Sequence, residues 1–188
     1  MVTHKGTQII ETDRLILRRA RIEDAQQMFA CWASDAEVTK FLTWSPHANK
    51  GVSAALLKSW IADYESLKTY HWMIVPKGNG DLPIGTLSAV SKDDRIGKLE
   101  VGYCIGRSWW HKGIASEALA AVIAYLFTEV GANRIQARHD PNNPNSGAVM
   151  RKCGMQFEGR MRQADHNNQG VCDVDYYAIL RQDYFHHP

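Results

Sequence analysis

Leu99–Gly131, LEVGYCIGRSWWHKGIASEALAAVIAYLFTEVG, changes its hydrophobic period once, and that change decides the fold. At its start Leu99, Val101, Tyr103 and Ile105 alternate with Glu100, Gly102, Cys104 and Gly106, which is the period of a strand. Further on, Ala115, Leu119, Val122, Leu126 and Val130 fall at three- and four-residue steps, which is the period of a helix. The loop between them, Arg107-Ser-Trp-Trp-His-Lys-Gly113, enters the helix at a glycine. A strand delivering through a tight loop into a helix N-terminus builds an anion site. The first helical N–H groups have no intrahelical partners, and the helix dipole favours negative charge there. Gly113 lets the backbone approach a ligand closely, and Lys112 adds positive charge beside it. The expected ligand group is a phosphate or pyrophosphate held mostly by main chain.

The 188 residues suit a single domain, 1–188 with its core at about 11–184, large enough to bury roughly two-thirds of the unfolded surface. An apolar fraction of 45% and a charged fraction of 22% describe an ordinary globule. The formal net charge of +2 is small and the basic residues are dispersed, with Arg18, Arg19 and Arg21 the one tight group, so no nucleic-acid partner is expected. No apolar run reaches the length of a membrane span, and MVTHKGTQIIET lacks an apolar signal core, so no membrane association is expected. Cys31, Cys104, Cys153 and Cys172 are widely spaced without a CxxC pair, the usage of reduced thiols in a cytoplasmic protein. The eight histidines show neither HxxxH nor HExxH, and no metal is expected.

Outward from the central stretch, the pattern predicts a mixed α/β domain. Glu11–Arg19 reads as a first strand, Ile22 to Trp32 as a helix, and Asp35–Phe41 as a second short helix. Thr43–Gly51 is a loop of turn formers, followed by a helix from about Ser53 to Lys68. Strands at His71–Val75 and Pro83–Val90 are joined by a turn at Lys77–Asp81, and Ser91–Gly97 turns into the Leu99 strand. Ala132–His139 is a strand parallel to Leu99–Ile105, because a helix connects the two. Asn143–Gly154 is a short helix with a polar start and a glycine stop. Met155–Arg162 and Val171–Leu180 pair across a turn at Asp165–Gly170.

EVGYCIGRSWWHKGIASEAL (100–119) resembles the acetyl-CoA-binding segment of the GNAT superfamily of N-acetyltransferases. Within it, the segment is similar to the branch of bacterial ribosomal-protein N-terminal acetyltransferases, which read roughly W-G-x-G-[YI]-A-[TS]-E-A here. Trp110 stands where the superfamily pattern [QR]-x-x-G-x-[GA] has Gln or Arg, and His111 stands where the branch prefers Gly. NPNSGAVMRKCGM (143–155) resembles N-x-x-S-x-x-x-[LYM]-x-K-x-G-F, with Met155 in place of the final aromatic. ETDRLILRRARIEDA (11–25) matches the branch's opening. EGRMRQADHNNQGVCDVDYYAIL (158–180) resembles its closing hairpin, so the resemblance runs from about Glu11 to Tyr184. It implies the GNAT fold: a central, mostly antiparallel twisted sheet flanked by helices, with a parallel strand pair that splays apart to admit acetyl-CoA. A homodimer is common in the family.

The resemblance also implies roles. The main chain of Tyr103, Cys104 and Ile105 would line the pantetheine arm. Trp110, His111, Lys112, Gly113, Ile114 and Ala115, with Ser116 following, would hold the pyrophosphate. Asn143 would hydrogen-bond the arm near the thioester, and Ser146 would bond the sulfur and help protonate the leaving thiolate. Asn143 and Ser146 also read as simple helix caps. Many relatives place a tyrosine acid seven residues after the asparagine; here that position is Met150, which has no proton to give. Glu100 shares a strand face with Cys104 and is the candidate base, acting directly or through a water; its other reading is a carboxylate satisfied by a neighbouring strand. Glu117 reads as structural in the helix's first turn. Cys104 as an acyl-carrying nucleophile lacks a base and orienting group at recognisable spacing.

The implied activity is acetyl transfer from acetyl-CoA to a primary amine, by direct attack within a ternary complex, with main-chain N–H groups of the Leu99 strand stabilising the oxyanion. The favoured acceptor is a protein or peptide N-terminal α-amine, whose free pKa of about 7.7–8.0 needs little help to deprotonate. Alternatives are a small amine (polyamine, amino acid or antibiotic) and a non-catalytic CoA-binding sensor. Trp44, Arg162, Asp173 and Tyr176 are the expected acceptor-side residues, with Trp72 considered alongside them.

Overall fold

A computed structural model describes residues 2–186. The expected domain 1–188 also takes in Met1, His187 and Pro188, which lie outside the described residues. Eight strands form one sheet: β1 (Ile10–Glu11), β2 (Leu15–Arg18), β3 (His71–Pro76), β4 (Gly85–Asp93), β5 (Lys98–Ile105), β6 (Arg134–His139), β7 (Gln156–Asn167) and β8 (Gly170–Leu180). Their spatial order is β1-β2-β3-β4-β5-β6-β8-β7, and each neighbouring pair is antiparallel except β5 with β6. The helices are α1 (Asp24–Met28), α2 (Ala36–Thr39), α3 (Lys50–Asp63), α4 (Ile114–Thr128), α5 (Pro144–Lys152) and α6 (Arg181–His186).

Period-two side chains place helices on both faces. On β3, Trp72 and Ile74 join Leu87, Val101 and Ile135 under Leu119, Val122 and Leu126 of α4. Met73 and Val75 point the other way, into Met28, Trp32 and Leu57 on the α1–α3 side. The parallel pair is joined through three residues, Lys98 to Glu100 against Arg134 to Gln136, while β5 continues to Ile105 and β6 to His139. The predicted splay therefore opens just past Glu100. Among the described residues, no helix is long and apolar enough to cross a membrane.

The structure corrects several boundaries. The opening strand is two short ones, because Thr12 closes a tight turn on Leu15 through N–H to carbonyl (3.0 Å) and through its hydroxyl accepting Leu15 N–H (2.9 Å). The first helix changes pitch after Met28 into a π-helical turn at Phe29–Ala33. α3 starts earlier than expected, since Asn49 Oδ1 accepts from Gly51 N–H (2.8 Å) and caps it there. The closing hairpin is longer, reaching Asn167 and Gly170 around Asn168-Gln169, with register shifts at Phe157/Gly159 and Met161/Asp165. α6 was not expected; its Tyr184 ring packs 5.1 Å from Phe127.

Candidate active site

Beyond Glu100, where β5 and β6 part, lies a cavity of about 770 Å³ lined from both faces of the sheet. Leu56 and Trp60 of α3, with Trp44 and His47 before it, form the wall on one face. Asn143 at the N-cap of α5, with Ser146 and Met150 on that helix, forms the wall on the other, and Glu100, Gly102, Tyr103 and Cys104 of β5 run between them.

On the α5 side, the Tyr103 hydroxyl donates to the Ser146 carbonyl (2.9 Å) and lies 3.1 Å from Ser146 Oγ. Burial pushes this phenol far above its ordinary pKa, so it stays protonated. Asn143 occupies the N-cap position of α5 without a side-chain capping bond among the described residues. Helix α5 sits close because residue 147 is glycine: a Cβ there would lie 2.5 Å from His139 Nε2. His139 donates from Nδ1 to the Asp140 carbonyl (2.8 Å), and its Nε2 has no hydrogen-bond partner among the described residues.

The loop into α4 is left-handed at two positions, His111 (φ 59°) and Gly113 (φ 74°). The first explains the glycine preferred at that place in the resembling sequences, since histidine is among the residues that tolerate this region. Trp110 Nε1 donates to the Ile105 carbonyl (2.8 Å), tying the loop to the end of β5, so that carbonyl is already engaged and the Ile105 side chain is core. Ile114 and Ser116 are buried, with the Ser116 carbonyl accepting the Cys153 thiol (3.3 Å), so the groups that α4 offers a ligand here are main chain. The Lys112 ammonium sits 5.2 Å over the Trp109 ring.

Two cations at this loop escaped the sequence reading. A Cβ at Gly113 would meet Arg14 NH2 at 3.5 Å and Lys152 Nζ at 3.8 Å. Arg14 is aimed by Glu117, which accepts from its Nε (2.6 Å) and backbone N–H (3.1 Å), and by the Lys112 carbonyl (3.1 Å). Glu117 is therefore structural in a specific sense: it positions Arg14. Lys152 is the lysine of the N-x-x-S motif, so that pattern could have pointed to it; Arg14, some hundred residues distant in the chain, carried no pattern assigning it to the loop. Helix N-terminus, left-handed glycine and paired cations fit a pyrophosphate.

Glu100 is buried with both carboxylate oxygens engaged: Gln136 Nε2 donates to one (2.7 Å), and Arg138 NH1 forms an ion pair with the other (2.9 Å). Arg138 continues through Nε to Asp165 (2.9 Å). Cys104 lies 3.4 Å from Thr86 Oγ1, and burial raises its thiol pKa, the opposite of an activated nucleophile.

Of the expected acceptor residues, Trp44 lines the cavity. Arg162 and Asp173 do not: they lie with Met161 and Gln163 at a separate shallow hollow of the hairpin. The register shift after Met161 and the left-handed Gln163 (φ 50°), whose N–H binds Asp173 Oδ1 (3.0 Å), turn them away. Tyr176 pairs with Arg138 across β6 and β8, outside the cavity wall. Trp72 is fully buried in the core. The cavity instead takes Trp60, His47 and His71, which the periodic pattern had absorbed into helix, loop and strand.

A cavity lined from both faces of a sheet at a parted parallel pair, together with an anion-binding loop where β5 delivers into α4, suits an acyltransferase that draws on coenzyme A. The sequence agrees: an Acetyltransferase (GNAT) domain model matches residues 14–156, and the chain belongs to this family of N-acetyltransferases, which take their acetyl group from acetyl-CoA. It is 32% identical over 173 residues to the uncharacterized N-acetyltransferase YoaA of Bacillus subtilis, covering 92% of this chain and 97% of the relative. It is 26% identical over 158 residues to the [ribosomal protein uS5]-alanine N-acetyltransferase of Escherichia coli, covering 80% and 79%. The crystal structure of the microcin C7 self-immunity acetyltransferase MccE, in complex with acetyl-CoA and AMP, superposes with a TM-score of 0.80 at 21% identity, covering 95% of this chain and 98% of that one.

Proposed function

We propose that the protein acetylates the N-terminal α-amine of a protein or peptide, by direct transfer from acetyl-CoA within a ternary complex. The observation that carries this reading is the cavity lined from both faces of the sheet. Coenzyme held along β5 by Asn143, Ser146 and the loop Trp110–Ala115, with Arg14 and Lys152 on its phosphates, presents its thioester from the α5 side. The acceptor enters past Trp44 and Trp60.

Two features favour an α-amine over a polyamine. Charged groups on the cavity wall nearly balance, with Asp63, Glu100, Asp140 and Asp165 against Lys68, Lys92 and Arg138. Three of the four acids are also engaged: Glu100 and Asp165 by Arg138, and Asp140 by Asn142 N–H (2.8 Å) and Asn167 Nδ2 (2.7 Å). A polycation needs a cavity with surplus negative charge. The uS5-directed relative adds weight. Ser146 donates to the departing sulfur, and Glu100, held by Gln136 and Arg138, orders the amine side of the cavity.

The test is free-thiol release from acetyl-CoA across peptides with free N-termini, polyamines and aminoglycosides, repeated with Glu100→Gln and Ser146→Ala. Turnover confined to peptides and lowered in both variants is the expected result. Turnover with small amines alone overturns the acceptor assignment, and coenzyme binding with no thiol release from any amine identifies a sensor.

A further inference from the structure

With both oxygens of Glu100 engaged, the cavity holds a second group suited to taking a proton. His71, Ser88 and Gly102 stand side by side across β3, β4 and β5, His71 opposite Ser88 and Ser88 opposite Gly102. Neighbouring strands lie about 4.8 Å apart, so the row spans about 10 Å. All three line the same cavity. His71 Nδ1 and Ser88 Oγ are 2.8 Å apart. The imidazole is fixed by stacking on Trp60, centroids 4.6 Å apart and planes 6° from parallel. Gly102 lies two residues past the last β5–β6 pair, and within 4 Å a Cβ there would meet only Val90 Cγ1, at 3.4 Å. The space above Gly102, at the mouth of the splay, is thus open to an amine, with the Ser88 hydroxyl one strand away.

Resting on the acetyl-transfer reading, we propose that Ser88 and His71 form the proton-accepting relay of the reaction, with Glu100 a positioning residue that holds Arg138 and Gln136. The amine nitrogen bonds to the acetyl carbon and the carbon–sulfur bond breaks. The ammonium proton passes to Ser88 Oγ as Ser88's own proton moves to His71 Nδ1. The thiolate takes a proton from Ser146, which water resupplies, and the imidazolium returns its extra proton to solvent. Products are the amide and free CoA.

The ring is suited to the task at neutral pH. Burial lowers the His71 pKa, and the charged groups facing it oppose one another: Asp63 at the end of α3 raises it and Lys92 on β4 lowers it. Tyr64, also of that helical arm, donates its hydroxyl to the His71 carbonyl (2.8 Å) and not to the ring. A neutral imidazole can accept; an imidazolium cannot.

The experiment compares wild type, His71→Gln, Ser88→Ala, Ser88→Thr and Glu100→Gln in CoA release from acetyl-CoA, using the amine panel above, with kcat followed from pH 5 to 9. General-base assistance contributes roughly 10²–10⁴-fold, so at pH 7 His71→Gln and Ser88→Ala are expected to lose about 10²-fold in kcat. They should also lose the acidic limb of the profile. Ser88→Thr, which keeps a hydroxyl, should restore both, and Glu100→Gln should lower the rate while keeping the limb. Should His71→Gln fail to fold, the Ser88 pair carries the test. A wild type that turns over and variants that keep its rate and limb overturn the relay alone. A wild type that releases no CoA with any amine overturns the acetyl-transfer reading, and the relay with it.

Discussion

The Tyr103 hydroxyl donates to the main-chain carbonyl of Ser146 at 2.9 Å and lies 3.1 Å from that residue's side-chain oxygen. Strand β5 and helix α5 thus meet through a phenol at the point where Met150 has left the helix without one. Since a hydrogen bond contributes about 0.5–1.5 kcal/mol net, Tyr103→Phe should lower kcat by roughly two- to tenfold while leaving the acceptor KM in place. Combined with Ser146→Ala, the losses should fall short of their product, because both changes break one contact. Steady-state kinetics of the two single variants and the double one check this; strict multiplication would mean that Tyr103 acts elsewhere.

Gly147 lets α5 rest on the His139 ring. Gly147→Ala forces a Cβ to within 2.5 Å of Nε2, so the ring or the helix must move. Overpacking of this kind costs about 1–3 kcal/mol, and the displaced turn carries Asn143 and Ser146. The expected outcome is a melting temperature lowered by several degrees and weaker CoA binding in calorimetry. Both should recover partly when His139→Ser is added. Unchanged CoA affinity in Gly147→Ala would show that the first turn of α5 does not touch coenzyme.

The sequence exposed the fold because its hydrophobic periods are local: the switch after Ile105 is written in consecutive residues, and so is the helix that makes β5 and β6 parallel. The strand–loop–helix unit around Gly113 was legible for the same reason. The α3 side of the cavity was not. Trp60 and His71 carry the same helical and strand periodicity as core residues, and only the splay past Glu100 turns them toward open space. Arg162 and Asp173 fit a motif, but they line a separate hollow of the hairpin, beside a register shift near Met161 that no local pattern encodes.

His47 is buried with Nδ1 2.7 Å from Ser53 Oγ, and burial lowers its pKa below the ordinary histidine value. His71 is lowered in the same direction. In the unfolded chain both take up protons at the ordinary value, about 6.5, while the folded state resists. The unfolded state then binds more protons, so folding stability falls as pH drops below about 6.5. Melting temperatures should hold near pH 7–8 and decline toward pH 5.5. His47→Asn, though less stable at pH 7, should show a shallower decline; an equal slope would remove His47 from the linkage.

Asn168, at the tip of the β7–β8 hairpin, donates from Nδ2 to the carbonyls of Thr39 and Trp44, each at 2.8 Å. Those bonds bridge more than a hundred residues of chain and fasten the segment bearing Phe41, Leu42 and Trp44, all on the cavity wall, to the far edge of the sheet. Asn168→Ala frees that segment without touching β5, α5 or the loop at Gly113. The segment must then be ordered when acceptor binds, at the expense of affinity. Losing about 1.4 kcal/mol corresponds to a roughly tenfold rise in acceptor KM. The KM for acetyl-CoA should stay where it was, because the coenzyme wall we propose is built from the opposite face of the sheet. Equal rises in both constants would mean that the hairpin tip supports the whole site and not the acceptor wall alone.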